Sequence, residues 1–127
     1  MNPFYCLIVG SRDFVDYEYF ERKVDYLLQN YSDVVVVSGG ARGADALAKR
    51  YASERGHQYI EFPADWEHNG KAAGFIRNEQ MHKFLSRYEP RGCIAFWDGK
   101  SKGTEHNFSL VKKYNTPIKL VRVDAKV

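Results

Sequence analysis

Cysteine is scarce: the chain has two, Cys6 and Cys93, in 127 residues. That excludes a disulfide-stapled scaffold, and the two are too far apart in sequence to form a paired metal-ligand motif. Both lie in apolar runs, so they read as small core residues, and a reducing, cytoplasmic setting suits them. Proline is also scarce, with four residues, and no Pro-, Gly- or Ser-rich tract interrupts the chain. One domain spanning 1–127 is therefore expected. No apolar run approaches the roughly 18 residues of a bilayer span, so a membrane is not expected as a partner. The opening stretch MNPFYCLIVG has no basic segment before its short apolar run and does not read as a signal peptide. An excess of one charge is missing too, since 19 Lys and Arg face 16 Asp and Glu for a net +3. With no basic block, single-stranded nucleic acid is not expected as a partner. The four histidines, His57, His68, His82 and His106, lack paired spacing, and neither a metal nor another cofactor is expected.

What remains is an ordinary globular composition, 44% hydrophobic and 28% charged, with aromatics at 15% that mostly suit a core. Residues 4–9 form a short buried strand closed by Gly10-Ser11. Residues 16–30 carry Tyr17, Phe20, Val24, Leu27 and Leu28 on one helical face. The valine run 34–37 suits a parallel strand covered on both faces. A second helix over 44–55 has Gly56 as its left-handed stop. A strand over 57–62 follows, then an irregular stretch 64–73, a helix over about 74–88, a strand over 93–97, a helix over about 104–114 and a last strand over 118–123. Strand and helix alternate with short connections. This predicts an α/β fold: a Rossmann-like three-layer domain with an open parallel sheet of about five strands, order 3-2-1-4-5, and helices on both faces. Ligands of such sheets bind outside the carboxyl ends of the strands.

Three polar, glycine-containing turns follow apolar strands, and this topology brings them to one edge. The first is Gly10-Ser11-Arg12-Asp13, in which Arg12 is expected to reach a ligand. The second is Ser38-Gly39-Gly40-Ala41-Arg42-Gly43-Ala44-Asp45. Its glycines let backbone approach a ligand, and the following helix offers unpaired N–H groups to phosphate. Arg42 can add a bidentate contact and Asp45 can bond a ribose or base edge. The plainer alternative is a tight turn with Arg42 in solvent and Asp45 complementing the helix dipole. The third turn runs from Asp98 through Ser101 and Gly103 to Thr104 and Glu105, with Thr104 as helix cap or phosphate ligand. Lys100 and Lys102 read equally well as a solvated loop.

The stretch 65–78 is dense in polar and aromatic groups, and long loops in compact domains often carry function. Trp66, Arg77 and Asn78 are candidate ligand contacts. If the protein is a hydrolase, Glu67, Asp65 or Glu105 would serve as general acid or base and Arg77 would stabilise developing charge.

The blocks VGSRDF, VVSGGARGADALAKRYA, FPADWEHNGKAAGFIRNEQM and AFWDGKSKGTEHNF together resemble the SLOG superfamily, in its YspA-like, cpYpsA-related branch. The resemblance spans about 7–123. It implies a Rossmann-like fold and a nucleotide or nucleotide-derived ligand such as an ADP-ribose-like molecule. Distant relatives are the Lonely Guy-type phosphoribohydrolases and the DNA-processing protein. By position, the resemblance gives Gly39, Gly40, Arg42, Gly43 and Asp45 a phosphate-turn role, and gives Arg77 the place of an arginine that assists catalysis in the phosphoribohydrolases. Gly103-Thr104 resembles the Gly-Thr of their signature. The acid that follows that Thr by three residues is replaced by Asn107, while Glu105 follows it by one, about 100° round the helix. The departure counts against glycosidic hydrolysis. The first expectation is therefore a module that binds or senses a phosphate-bearing nucleotide derivative, with a nucleotide-processing hydrolase as the alternative. A homodimer or higher homo-oligomer is left open.

Overall fold

The computed structural model describes residues 2–123. Strand β1 (Phe4–Gly10) pairs in parallel with β2 (Val34–Ser38) on one side and β4 (Arg91–Trp97) on the other. Strand β3 (Gln58–Glu61) adds beyond β2 and β5 (Ile118–Arg122) beyond β4, so the five-stranded parallel order is 3-2-1-4-5, as the alternation predicted.

Side-chain alternation along the central strands divides the core into two layers. Cys6, Ile8, Val34, Val36, Ile94 and Phe96 point to one face, where helix α1 (Tyr17–Leu27) brings Phe20 and Val24, and α2 (Ala44–Arg55) brings Ala44, Ala48 and Tyr51. Leu7, Val9, Val35, Val37, Cys93 and Ala95 point to the other, against Met81 and Leu85 of α4 (Ala73–Leu85) and Val111 of α5 (Lys102–Lys113). Both cysteines are buried core groups, and burial pushes the Cys6 thiol up to about 12, so it does not ionise near neutral pH.

Several boundaries differ from the sequence expectation. Helix α1 ends at Leu27, three residues early, and its N-cap is Asp16, which accepts from the Tyr19 N–H at 3.1 Å. The stretch expected to be irregular holds a one-turn helix, α3 (Trp66–Asn69), capped by Asp65, and a 3-10 turn at Gly70–Ala72. Helix α5 begins two residues before Thr104, because the Ser101 side chain takes the cap position and accepts from the Thr104 N–H. Gly56 does close α2 in the left-handed conformation, at φ 71°.

Among the described residues no helix is long and apolar enough to cross a membrane.

Candidate functional site

The turns after β1, β2 and β4 meet at the carboxyl edge of the sheet and are bonded to one another. The Ser11 carbonyl accepts from the Ala44 N–H at 3.2 Å, which docks the start of α2 on the first turn. The buried Ser11 hydroxyl accepts from the Asp98 N–H at 3.2 Å, which docks the third turn on the first. Ser38, fully buried, donates its hydroxyl to the Ile8 carbonyl at 2.7 Å. Asp98 folds its own turn by accepting from the N–H groups of Lys100 and Ser101, each at 2.8 Å, and these bonds hold its carboxyl below the usual carboxylate range.

Two of the glycines are required by this joint. A Cβ on Gly10 would lie 2.6 Å from both Ala44 Cβ and the Phe96 carbonyl. Gly43 has φ +77°, and a Cβ there would lie 2.3 Å from the Ser11 carbonyl and 2.4 Å from that of Arg12. Both let chain segments close on each other.

The joint frames a groove made of two adjoining cavities of about 340 and 440 Å³ that share Arg12, Ala41, Trp66 and Arg77 as walls. Gly10, Ser101, Gly103 and Thr104 line the first, and Gly39, Gly40 and Arg42 line the second. The cations along the groove are Arg12, Arg42, Lys71, Arg77 and Lys102, and Asp45 is the one carboxylate among its lining residues. The groove is therefore strongly cationic although the chain carries only +3.

Arg77 is the centre of this arrangement. It is 8% exposed, and no ion pair formed among the described residues includes it. Its N–H groups go to neutral oxygens: Nη1 to the Gly39 carbonyl at 2.6 Å and the Phe62 carbonyl at 3.4 Å, and Nε to Asn78 Oδ1 at 3.0 Å. Nη2 has no hydrogen bond among the described residues. Burial lowers the guanidinium pKa from its ordinary value, opposed by the nearby Asp45 charge, and it remains a cation at neutral pH. Asp45 is buried as well. Burial raises its pKa against the pull of the Ala41 N–H, which donates to Oδ2 at 3.2 Å, and of Arg77.

A chain of buried hydrogen bonds continues from Arg77 across the groove floor. Asn78 Nδ2 donates to the Gly103 carbonyl at 3.3 Å, Asn107 Nδ2 donates to the same carbonyl at 3.1 Å, and Asn107 Oδ1 lies 2.7 Å from Nε2 of the fully buried His82. Because a carbonyl only accepts, the Asn107 amide is oriented, and His82 must carry its proton on Nε2.

The sequence candidates therefore separate into groups. Arg12, Gly39, Gly40, Trp66, Arg77, Asn78, Ser101, Gly103 and Thr104 come together around the groove, with Asp45 and Arg42. Ser11, Ser38, Gly43 and Asp98 hold the rim together and do not line it. The Arg42 side chain is exposed and pairs with Asp13 at 3.2 Å, which leaves it at the outer lip. Glu67 and Glu105, proposed as acid or base, are exposed and line neither cavity; each lies on the outward side of its helix's first turn. Phe75, Met81, His82 and Asn107 were missed as site residues. The signal for Phe75, Met81 and His82 was the helical spacing that runs back from Asn78 to Phe75 and on to Met81 and His82.

The fold is shared with solved structures. DNA processing protein A from Helicobacter pylori, described for its single-stranded DNA binding mode, superposes with a TM-score of 0.65 at 20% identity, over 93% of this chain and 65% of that one. The C-terminal domain of a hydrogenase from Pyrococcus furiosus superposes with a TM-score of 0.57 at 16% identity, over 94% and 90%. The chain thus spans just under two-thirds of the DNA processing protein, and both likenesses show the fold. The first still corrects one expectation. Single-stranded nucleic acid was set aside on a net charge of +3, yet this fold occurs in a single-stranded DNA-binding protein. Net charge averages over the whole surface, whereas binding depends on where the cations gather, and here they gather in the groove. In sequence, Gene 61 protein of Mycobacterium phage D29 is 38% identical over 88% of this chain and 91% of its own length. The model of the YspA, cpYpsA-related SLOG family matches residues 6–68, which run from β1 through the glycine-rich turn to α3. With that match, the phage relative and the 3-2-1-4-5 sheet in agreement, the chain belongs to the YspA, cpYpsA-related SLOG family.

Proposed function

We propose that this chain binds a nucleotide-derived, phosphate-bearing small molecule in the groove at the carboxyl edge of its sheet. Membership of the SLOG family suggests nucleotide-related binding or processing, and the groove supports the binding side of that choice. The observation that carries the reading is Arg77: a buried guanidinium with no ion pair and an unused N–H edge, on the wall common to both cavities. A desolvated cation is costly unless an anion completes it, and a phosphate would. Arg12 would supply the second contact. Hydrolysis finds less support, since neither Glu67 nor Glu105 lines the groove and Asn107 cannot exchange a proton as a carboxyl does.

The test is thermal unfolding with millimolar AMP, NAD, ADP-ribose and cyclic nucleotides. A ligand at about 100 times its Kd adds roughly 2.7 kcal/mol to stability, a shift of several degrees for a chain of this size. Arg12→Ala, an exposed change, should shrink the shift. No shift with any of these compounds would overturn the proposal.

A second reading, favoured by the Helicobacter pylori likeness and by the exposed Trp66 and Phe75 beside the groove cations, is binding of single-stranded DNA. Anisotropy of a labelled oligonucleotide would then rise on adding protein and fall steeply with salt. A flat response at low salt would dismiss it.

A further inference from the structure

The two ends of the groove differ chemically. The second cavity is walled by Arg12, Arg42 and Arg77 with glycine backbone and suits an anion. The first shares Arg12 and Arg77 and adds Asp45, but it also has apolar and amide groups in Val9, Met81, Asn78 and Asn107. Two large aromatic groups border it, Trp66 at 52% exposure and Phe75 at 49%. Neither is seated in the core. The tip of the Trp66 indole, Cη2, would lie 3.6 Å from a Cβ on Gly74, so the ring covers the start of α4. Phe75 makes a T-shaped contact with His106, with ring centroids 4.7 Å apart at 88°. Trp66 also borders the cationic cavity, so a flat group beside it stays within one molecule's reach of Arg77. Lys71 and Lys102 stand exposed on the outer rim of this end.

We infer that Trp66 and Phe75 form a subsite for the planar base of the ligand, with the Asn78 and Asn107 amides below to meet polar edges of the base or ribose. This rests on the proposed function and narrows it: the ligand class is a base-bearing nucleotide, not a sugar phosphate. Stacking of one base on an aromatic side chain corresponds to roughly 5- to 150-fold in affinity.

The experiment is calorimetric titration of the protein with AMP, ribose 5-phosphate and inorganic phosphate, paired with tryptophan fluorescence. AMP should bind at least about tenfold more tightly than ribose 5-phosphate. That ratio should collapse in Trp66→Ala and Phe75→Ala and persist in Trp66→Phe, which keeps a stacking face. AMP should quench the wild-type emission and leave Trp66→Phe unchanged, because Trp97 is fixed by its indole N–H bond to the Ser101 carbonyl and by its edge contact with Phe108. Equal affinity for AMP and ribose 5-phosphate, or a ratio that survives both alanine variants, overturns the subsite while leaving phosphate binding intact. If none of the three ligands binds, the subsite falls, and the proposed function falls with it when NAD, ADP-ribose and cyclic nucleotides also give no thermal shift.

Discussion

His82 ties the stability of the groove floor to pH in a way that can be isolated. Its ring is fully buried, Nε2 donates to Asn107 Oδ1 at 2.7 Å, and Nδ1 has no hydrogen-bond partner. Protonation would place an N–H on Nδ1 with nothing to accept it, in addition to the cost of burying the charge. Burial therefore holds the imidazole below its ordinary 6.5, against the opposing pull of the Asn107 bond, and the native state keeps it neutral. The unfolded chain takes up that proton near pH 6.5 and the native chain does so only at lower pH, so acid favours unfolding. The contribution is fully present above pH 6.5 and is lost as the pH falls through the window below it. While one proton separates the two states, the slope is up to about 1.4 kcal/mol per pH unit. His57 and His106 are also held low by burial and steepen the same curve, so wild type alone does not identify His82. His82→Phe keeps a ring of similar shape, leaves Asn107 Oδ1 unpaired, and should cost about 1–3 kcal/mol at pH 7.5. Because it no longer titrates, its disadvantage should shrink steadily as the pH falls below 6.5. Urea unfolding at half-unit steps from pH 7.5 to 5 measures both curves. Parallel curves would refute the buried neutral histidine.

Three further outcomes concern single side chains. Gly43→Ala combines φ +77° with a Cβ 2.3 Å from the Ser11 carbonyl, where no side chain can yield, and should cost about 3 kcal/mol or more by denaturant unfolding. Gly56→Ala has a similar φ of +71° but nothing within 4 Å, so its cost should stay near 1 kcal/mol. Ser38→Ala removes a hydroxyl that donates to Ile8 at 2.7 Å and should cost about 1 kcal/mol without altering ligand-induced thermal shifts, since Ser38 does not line the groove.

The sheet order was legible because each central strand is a short apolar run flanked by turn residues, and Val34 to Val37 permits little else. The convergence of three turns followed from that order. Which turn residues face a ligand was not legible, because a tight joint and a phosphate site call for the same residue types. Gly10 and Gly43 are glycine for close packing, and Ser11, Ser38 and Asp98 spend their oxygens on backbone. The start of α5 was misplaced for a related reason: Ser101 and Thr104 are both good caps, and only the Asp98 turn, which fixes the Ser101 N–H, decides between them. Glu67 and Glu105 were chosen as acids near the right turns, but a single helical residue turns a side chain away from the groove.

Arg77 offers the sharpest separation of fold from function. The Arg77 guanidinium bonds only neutral oxygens and has Asp45 as its nearby opposing charge. Replacing a buried charged pair by uncharged groups of similar size is often neutral or stabilising, while removing one partner alone strands the other. Arg77→Met should therefore destabilise by a few kcal/mol, because Asp45 then loses its compensating charge. Adding Asp45→Asn should recover most of that loss, since an amide oxygen can still accept from the Ala41 N–H. The double variant should match wild type within about 1 kcal/mol in denaturant unfolding and show no thermal shift with any nucleotide. A double variant less stable than the sum of the two single changes would mean that Arg77 is retained to hold the turn at Gly39, and the groove would lose its principal anion-binding group.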